Sequence, residues 1–427
     1  MAWTLWWHSR LRGEALRRLQ ITRLRALVRH AHTVVPFYRD LYDRAGVVPE
    51  NLRTIDDLVH LPVIGRDDVQ ENLDRCRASD FDVTHCELRS TGGSTGEPLW
   101  IPTPREQLVY EALGWLRTWR RLGLRIRDRQ AAIKDLSEHS FAGERRWFQR
   151  LGLLDIDYLS IYEPPEQLVH RLARSQPDVV RGRPSILESL ARVAEVMPEG
   201  RHIRPRRVFA TSEMLRPGAR DRIERVFDTS VHDCYGATEA GCVAWCCPAC
   251  GDYHVNADYV IVEVLHDGRP AAPGQSGELV ITNLFARAMP FVRYALGDQC
   301  TVAAGSDCPF HRGAVSIERL VGRSMDQIVL ADGRSVSPVW FTYDHLTGVQ
   351  RFRVYHERTG PDRDTIRVSI VPGNALDRNL LEEERRRAQA WLGPRCTLTV
   401  ELVHALDHVG DDEYRTVISG PGSDEPA

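Results

Sequence analysis

Arg89-Ser-Thr-Gly-Gly-Ser-Thr-Gly-Glu-Pro98 sets three glycines and four hydroxyl residues within ten positions. Together they make a loop whose backbone N–H groups can turn inward around an anion. Loops of this kind cradle phosphate, and most carry a lysine to neutralise it. Here Glu97 stands where the cation is expected, and Lys134 is the single lysine among the 56 basic residues of the chain.

The 427 residues exceed the usual limit of one hydrophobic core, so two or three domains are expected. Hydrophobic content of 42% and charged content of 27% are those of a soluble globular protein. A net charge of −3 leaves no nucleic-acid footprint. The Arg-rich segments Arg201 to Arg207 and Arg385 to Arg387 read as solvated surface. The apolar start, Met1 to Trp7, is too short for a membrane span and lacks a signal-peptide layout, so a cytoplasmic location with no membrane partner is expected. Cys234, Cys242, Cys246, Cys247 and Cys250 crowd into 17 residues, which in a cytosolic protein reads as metal binding before disulfides.

Apolar spacing predicts helices over 8–32 and 105–122, with a Pro-punctuated, loop-rich passage between them. Three short apolar runs, Gln130–Ile133, Asp178–Val180 and Arg207–Ala210, read as buried strands separated by the helical patterns Glu166–Ser175 and Ile186–Val196. That alternation implies a parallel α/β sheet with active loops at the strand ends. After about residue 255, Val260–Leu265, Gly277–Asn283 and Gln299–Ala303 read as β segments joined by Gly/Pro turns. From about residue 327 the order is strand, helix, strand, with a helix over Leu380–Leu392. The tail 421–427 is expected to be disordered.

A second signal, Val231-His-Asp-Cys-Tyr-Gly-Ala-Thr-Glu239, follows the Gly-rich loop by about 140 residues. The flat ring of Tyr235 can stack on a purine. Thr238 can donate to a phosphate oxygen, and Glu239 can hold Mg²⁺ bridging two phosphates. Taken alone, the string reads as a turn followed by a helix start.

Joined in this order by Thr211-Ser-Glu213, Arg293-Tyr-Ala-Leu-Gly-Asp298 and Val321-Gly-Arg-Ser-Met-Asp326, the set resembles the adenylate-forming enzyme superfamily, and within it the phenylacetate–coenzyme A ligase-like branch. The likeness extends to Leu27-Val-Arg-His-Ala-His-Thr-Val-Val-Pro-Phe-Tyr38, Asp57-Leu-Val-His-Leu-Pro-Val-Ile64 and Pro177-Asp-Val-Val-Arg-Gly-Arg-Pro184. It implies an α/β fold: a large N-terminal domain over 1–324 with a β-rich subdomain and a zinc-binding insertion at about 246–311, then a small mobile α+β domain over 325–420. Thr91, Gly92, Gly93, Ser94, Thr95 and Gly96 would wrap the ATP phosphates. Ser212, Glu213 and Tyr235 would sandwich adenine, with Asp233 and Gly236 lining the nucleotide. Thr238 and Glu239 would serve the phosphates and Mg²⁺, while Asp298, assisted by Arg323, would take the ribose hydroxyls. In such enzymes a carboxylate attacks the α-phosphate to give an acyl-adenylate and pyrophosphate. The C-terminal domain then pivots just after Arg323, and a thiol or amine displaces AMP.

The same branch includes members with a structural zinc. Cys247-Pro-Ala-Cys250, then His254, then Cys308-Pro-Phe-His311 supply two pairs at CxxC-like spacing, enough for a Cys₃His tetrahedral site. The family pattern favours Cys247, His254 and Cys308, whereas bare spacing favours Cys250 and His311 over His254. Four of these five are expected as ligands, and Cys246 could compete with Cys247. Four protein ligands leave no open position, so the zinc would be structural.

The chain departs from the family in one consequential place. The family's C-terminal lysine, which contacts carboxylate and α-phosphate during adenylation, matches Glu413 in Val409-Gly-Asp-Asp-Glu-Tyr-Arg-Thr-Val-Ile418, beside the well-matched Arg415. A reversed charge facing a triphosphate removes transition-state stabilisation. Met325 stands at a pivot that is ordinarily charged. Three functions therefore compete. The first is ATP- and Mg²⁺-dependent activation of a carboxylic acid, aromatic or amino-substituted, with transfer to coenzyme A, a carrier-protein thiol or an amine, Arg415 supplying charge. The second is joining a preformed activated acid to an amine. The third is a non-catalytic nucleotide- or acid-binding partner, and the sequence leaves a homodimer open. Lys134, just past Gln130-Ala-Ala-Ile133, is a candidate partner for the acid, against the plainer reading of a surface lysine at a strand end. Trp115, Trp119, Trp147 and Phe148 could wall an aromatic pocket, with core packing the plainer reading.

Overall fold

The computed structural model describes residues 6–427 apart from 92–98, 135–146, 162, 216, 306–307, 323–327, 337–340, 342, 344–345, 347–348, 374–375, 405, 407–416 and 420–427. Two compact units emerge. One gathers Met1–Arg89, Trp100–Gly123 and His232–Arg323; the other gathers Ser90–Leu99, Leu124–Val231 and Ser324–Ala427. Among the described residues, no helix is long and apolar enough to cross a membrane.

In the first unit, helix Gly13–Val34 buries Leu16, Leu24, Leu27, Val28 and Ala31 at helical spacing and leaves Arg17, Arg18 and Arg29 exposed, while Arg23 reaches inward to the Asp258 carbonyl. Seven strands pair antiparallel in the order Val260–His266, Ser276–Asn283, Tyr294–Val302, Ser316–Gly322, Tyr253–Val255, Gly241–Cys246 and Val231–Ala237. Helix Arg105–Arg121 lies against this sheet through Thr118, Arg117 and Trp115. Its far end is tied down electrostatically. Fully buried Asp258 accepts from Arg117 at 2.5 Å and from Arg312 at 3.0 Å. Burial would raise the Asp258 carboxyl, but the two guanidinium groups outweigh it and hold it below the usual range.

In the second unit, four parallel strands run in the order Ile156–Ser160, Gln130–Lys134, Val179–Gly182 and Arg207–Thr211. One face carries Ala131, Ile133, Leu159, Val180, Val208 and Ala210 into an apolar core with Leu168, Leu172, Leu187, Leu190 and Ile223 of the intervening helices. Ile156–Ser160 is a strand that the apolar-run reading missed. Only Leu159 of its five residues is buried, so its sequence carries no run of apolar side chains. Residues 324–427 belong to this unit and add the sheet Cys396–Leu402, Arg363–Pro372, Val349–Gly360 and Val417–Ser419. Helix Arg378–Leu392 packs beside it, capped where the Asp377 carboxylate accepts from the Asn379 and Leu380 N–H groups.

Candidate active site

Tyr235 and Gly236 end a strand rather than open a turn into a helix. Val231–Ala237 pairs antiparallel with Gly241–Cys246, and Thr238-Glu239-Ala240 forms the connection between them. The reason is local. Gly241 sits at φ +66, which closes the reversal at low cost, and the apolar Cys242-Val-Ala-Trp245 that follows continues as a buried strand. Gly236 is equally constrained, because a Cβ there would meet the Trp115 ring at 2.7 Å and the Gly241 carbonyl oxygen at 2.8 Å. Trp115 therefore packs on the motif itself.

Side chains around this hairpin are fixed by hydrogen bonds. The Tyr235 hydroxyl donates to the Asp298 carboxylate, and the Tyr253 hydroxyl donates to Asp233. Asp298 follows Gly297, whose positive φ lies within strand Tyr294–Val302 where its pairing with Ser276–Asn283 is irregular. Glu239 is only 3% exposed, and among the described residues its carboxylate has no hydrogen bond or ion pair. Its backbone carbonyl is held by Asn283 at 2.8 Å. A buried carboxylate without a counter-charge is costly, so this donor fits a divalent cation such as Mg²⁺.

In the second unit, Ser212 follows strand Arg207–Thr211 in the left-handed region at φ +74, a strained position for a side-chain-bearing residue. Its neighbour Glu213 accepts from the Ser185 N–H at 3.1 Å, at the start of helix Pro184–Val196. There the helix dipole favours a carboxylate. Lys134 ends its strand with its ammonium 4.3 Å from the centroid of the Tyr158 ring, a cation–π contact across the neighbouring strand.

The cysteine-rich hairpin brings together four groups that could ligate a metal. Donor atoms of Cys247, Cys250, His254 and Cys308 all lie within 4.8 Å of one another, and His311 is outside the set. Cys247 Sγ is 3.7 Å from Cys308 Sγ, and His254 Nε2 is 3.3 Å from Cys308 Sγ and 3.5 Å from Cys250 Sγ. Tetrahedral zinc with Zn–S near 2.3 Å spaces two thiolates about 3.8 Å apart, so the cluster fits that ion. Burial works against the Cys308 thiolate, yet the Phe310 and His311 N–H groups and the neighbouring thiols hold it below its ordinary value. His254 presents its other nitrogen, Nδ1, to Ser316 Oγ at 3.4 Å, the outer partner that orients a metal-bound imidazole.

The AMP-binding enzyme family model matches residues 90–285, a span that takes in both motifs. The phenylacetate–coenzyme A ligase of Pseudomonas putida is 26% identical over 366 residues, covering 84% of this chain and 82% of that protein. Residues 90–285 thus match the AMP-binding enzyme family, and most of the chain is similar to phenylacetate–coenzyme A ligases. Protein CapK of Staphylococcus aureus is also similar, at 21% identity over 403 residues, 90% of this chain and 84% of that one. Among solved structures, 2-hydroxyisobutyryl-CoA ligase in complex with 2-HIB-AMP and CoA superposes with a TM-score of 0.65 at 21% identity, over 94% of this chain and 89% of that one. That likeness carries the adenylate-forming fold.

Several residues named from the sequence lie outside the described residues: Gly92, Gly93, Ser94, Thr95, Gly96, Arg323, Glu413 and Arg415, with Met325 and the tail 421–427; the side chain of Thr91 does so too. Conversely, the structure brings forward one residue that no motif announced, Glu111, as the partner of Arg89. Arg89 and Glu111 form an ion pair at 2.6 Å beside the hairpin. A glutamate in an amphipathic helix reads as solvated surface, and only its partner reveals otherwise.

Proposed function

We propose that this chain is an ATP- and Mg²⁺-dependent ligase that activates a small carboxylic acid as its adenylate and transfers the acyl group to coenzyme A. The observation that carries the reading is Glu239, a buried residue whose carboxylate has no hydrogen bond or ion pair among the described residues, on a turn whose flanking strand bears Tyr235, itself held by Asp298. In the first half-reaction a carboxylate oxygen bonds to the α-phosphorus and pyrophosphate leaves. In the second, the coenzyme A sulfur bonds to the acyl carbon, AMP leaves, and the thiol proton is released. Tyr235 would present its ring face to adenine while Asp298 orients the phenol and accepts from ribose. Thr238 would donate to a phosphate oxygen, and Glu239 would hold Mg²⁺, which neutralises phosphate charge when bound. Lys134, steadied over Tyr158, is the candidate for the acid's polar end, with aromatic acids the first to test. Zinc at Cys247, Cys250, His254 and Cys308 would be structural, and residues 325–420 would act as a mobile C-terminal domain.

ATP–pyrophosphate exchange across a panel of acids tests the first half-reaction, and coenzyme A-dependent AMP release tests the second. Exchange with at least one acid, lost in Glu239→Gln, is the expected result. Nucleotide binding with no exchange for any acid would sink it. Glu413 favours one other reading, in which the enzyme joins a preformed activated acid to an amine. Turnover of synthetic acyl-adenylates by an exchange-inactive enzyme would select that reading.

A further inference from the structure

Glu111 stands where three parts of the first unit meet. Its Oε2 accepts from Arg89 Nη1 at 2.6 Å and its Oε1 from Gln107 Nε2 at 3.0 Å, so both carboxylate oxygens are engaged. The side chain is 10% exposed and that of Arg89 26%, a pair largely withdrawn from solvent. Arg89 lies on strand Cys86–Thr91, immediately before the Gly-rich segment begins. The Glu111 Cγ would be 3.0 Å from a Cβ on Gly241, and one helical turn later Trp115 would be 2.7 Å from a Cβ on Gly236. One face of helix Arg105–Arg121 thus holds the strand that launches the Gly-rich segment and both glycines that bracket Thr238-Glu239-Ala240.

A surface ion pair in this chain, such as Arg29–Glu50, contributes little, because water competes for both ends. The Arg89–Glu111 pair differs. It is shielded and braced by a second hydrogen bond, and it sits on a helix whose other end is anchored through Arg117 to Asp258. Removing either partner leaves the other charge poorly solvated and frees the strand end to shift against the turn. Displacements on the order of 1 Å at a positioning contact are enough to lower turnover strongly.

We propose that Glu111 is a positioning residue for the nucleotide: through Arg89 and through its packing on Gly241 it fixes the point from which the chain enters the Gly-rich segment relative to the turn bearing Thr238 and Glu239. The inference rests on the nucleotide reading given above. Glu111→Gln and Arg89→Ala, each in the full chain, should raise the KM for MgATP by about tenfold while the KM for the acid stays within about twofold. The charge-swapped pair Arg89→Glu with Glu111→Arg, and the conservative Glu111→Asp, should recover part of the loss. Unchanged KM for ATP, strictly additive losses in the swapped pair, or all parameters falling together with the thermal midpoint would each overturn the proposal. Equilibrium binding of ATP to the same proteins separates the two levels. Equal affinity in wild type and Glu111→Gln rejects the positioning role even where turnover is absent, whereas wild-type binding without exchange rejects the ligase reading alone.

Discussion

In the proposed site Tyr235 would serve through both ends of its side chain: the ring would lie against a base, while the hydroxyl is committed to Asp298. Tyr235→Phe keeps the ring and removes a hydrogen bond to a charged group, a loss of about 1.5–3 kcal/mol. The expected outcome is a KM for ATP raised by about tenfold or more with the KM for the acid little changed, read from initial rates. Farther along the chain, Arg415 is the cation nearest in sequence to Glu413, which takes the place of the family's lysine. Arg415→Ala should lower exchange by about a hundredfold, and Glu413→Lys should raise it, both measured against an acid the wild type accepts. Tyr235 and Asp298 stood out in the sequence because each has glycine beside it in a fixed order of motifs, and the structure joins the two. Glu111 did not stand out, since its role depends on Arg89, 22 positions away and on a different element.

The hairpin formed by Val231–Ala237 and Gly241–Cys246 is where local reading and structure part. A Thr-Glu pair after Tyr-Gly has the look of a helix start, but the helix Arg105–Arg121 leaves room for only a close backbone at Gly236 and Gly241. Gly236→Ala should therefore destabilise the protein by about 1–3 kcal/mol, seen as a lower midpoint in denaturant, with partial recovery when Trp115 is replaced by a smaller apolar residue. The cysteine hairpin gives a sharper test at the same scale. His254→Ala should abolish bound zinc and lower the thermal midpoint by about 5 °C or more, whereas His311→Ala should retain the metal. Metal content by elemental analysis checks both. Spacing alone favoured His311, because CxxH mirrors CxxC. Antiparallel pairing of Ser316 and Ile317 with His254 and Tyr253 instead carries the His254 ring to the thiols.

At the scale of the molecule, the second unit joins segments far apart in the chain. Residues 328–336 lie against helix Pro184–Val196, where Arg192 donates to the Gly333 carbonyl at 2.8 Å while also holding Glu188 at 2.7 Å. Under the proposed two-step reaction with a mobile C-terminal domain, such a contact weights one arrangement. Arg192→Ala should change the ratio of adenylate formation to thioester formation while leaving the fold intact, which separate assays of pyrophosphate release and coenzyme A consumption would register. Sequence alone determined the α/β class and the strand and helix sites of most elements, and it named the residue types of the proposed nucleotide site. Those follow from apolar periodicity and from glycine and hydroxyl patterns, which act over a few positions. Tertiary structure decided the rest: the strand and hairpin geometry of Tyr235 to Gly241, His254 over His311 among the thiols, the Arg89–Glu111 brace, and the gathering of 324–427 with 124–231. Each depends on a partner brought near by folding, and such partners leave no local pattern in the chain that carries them.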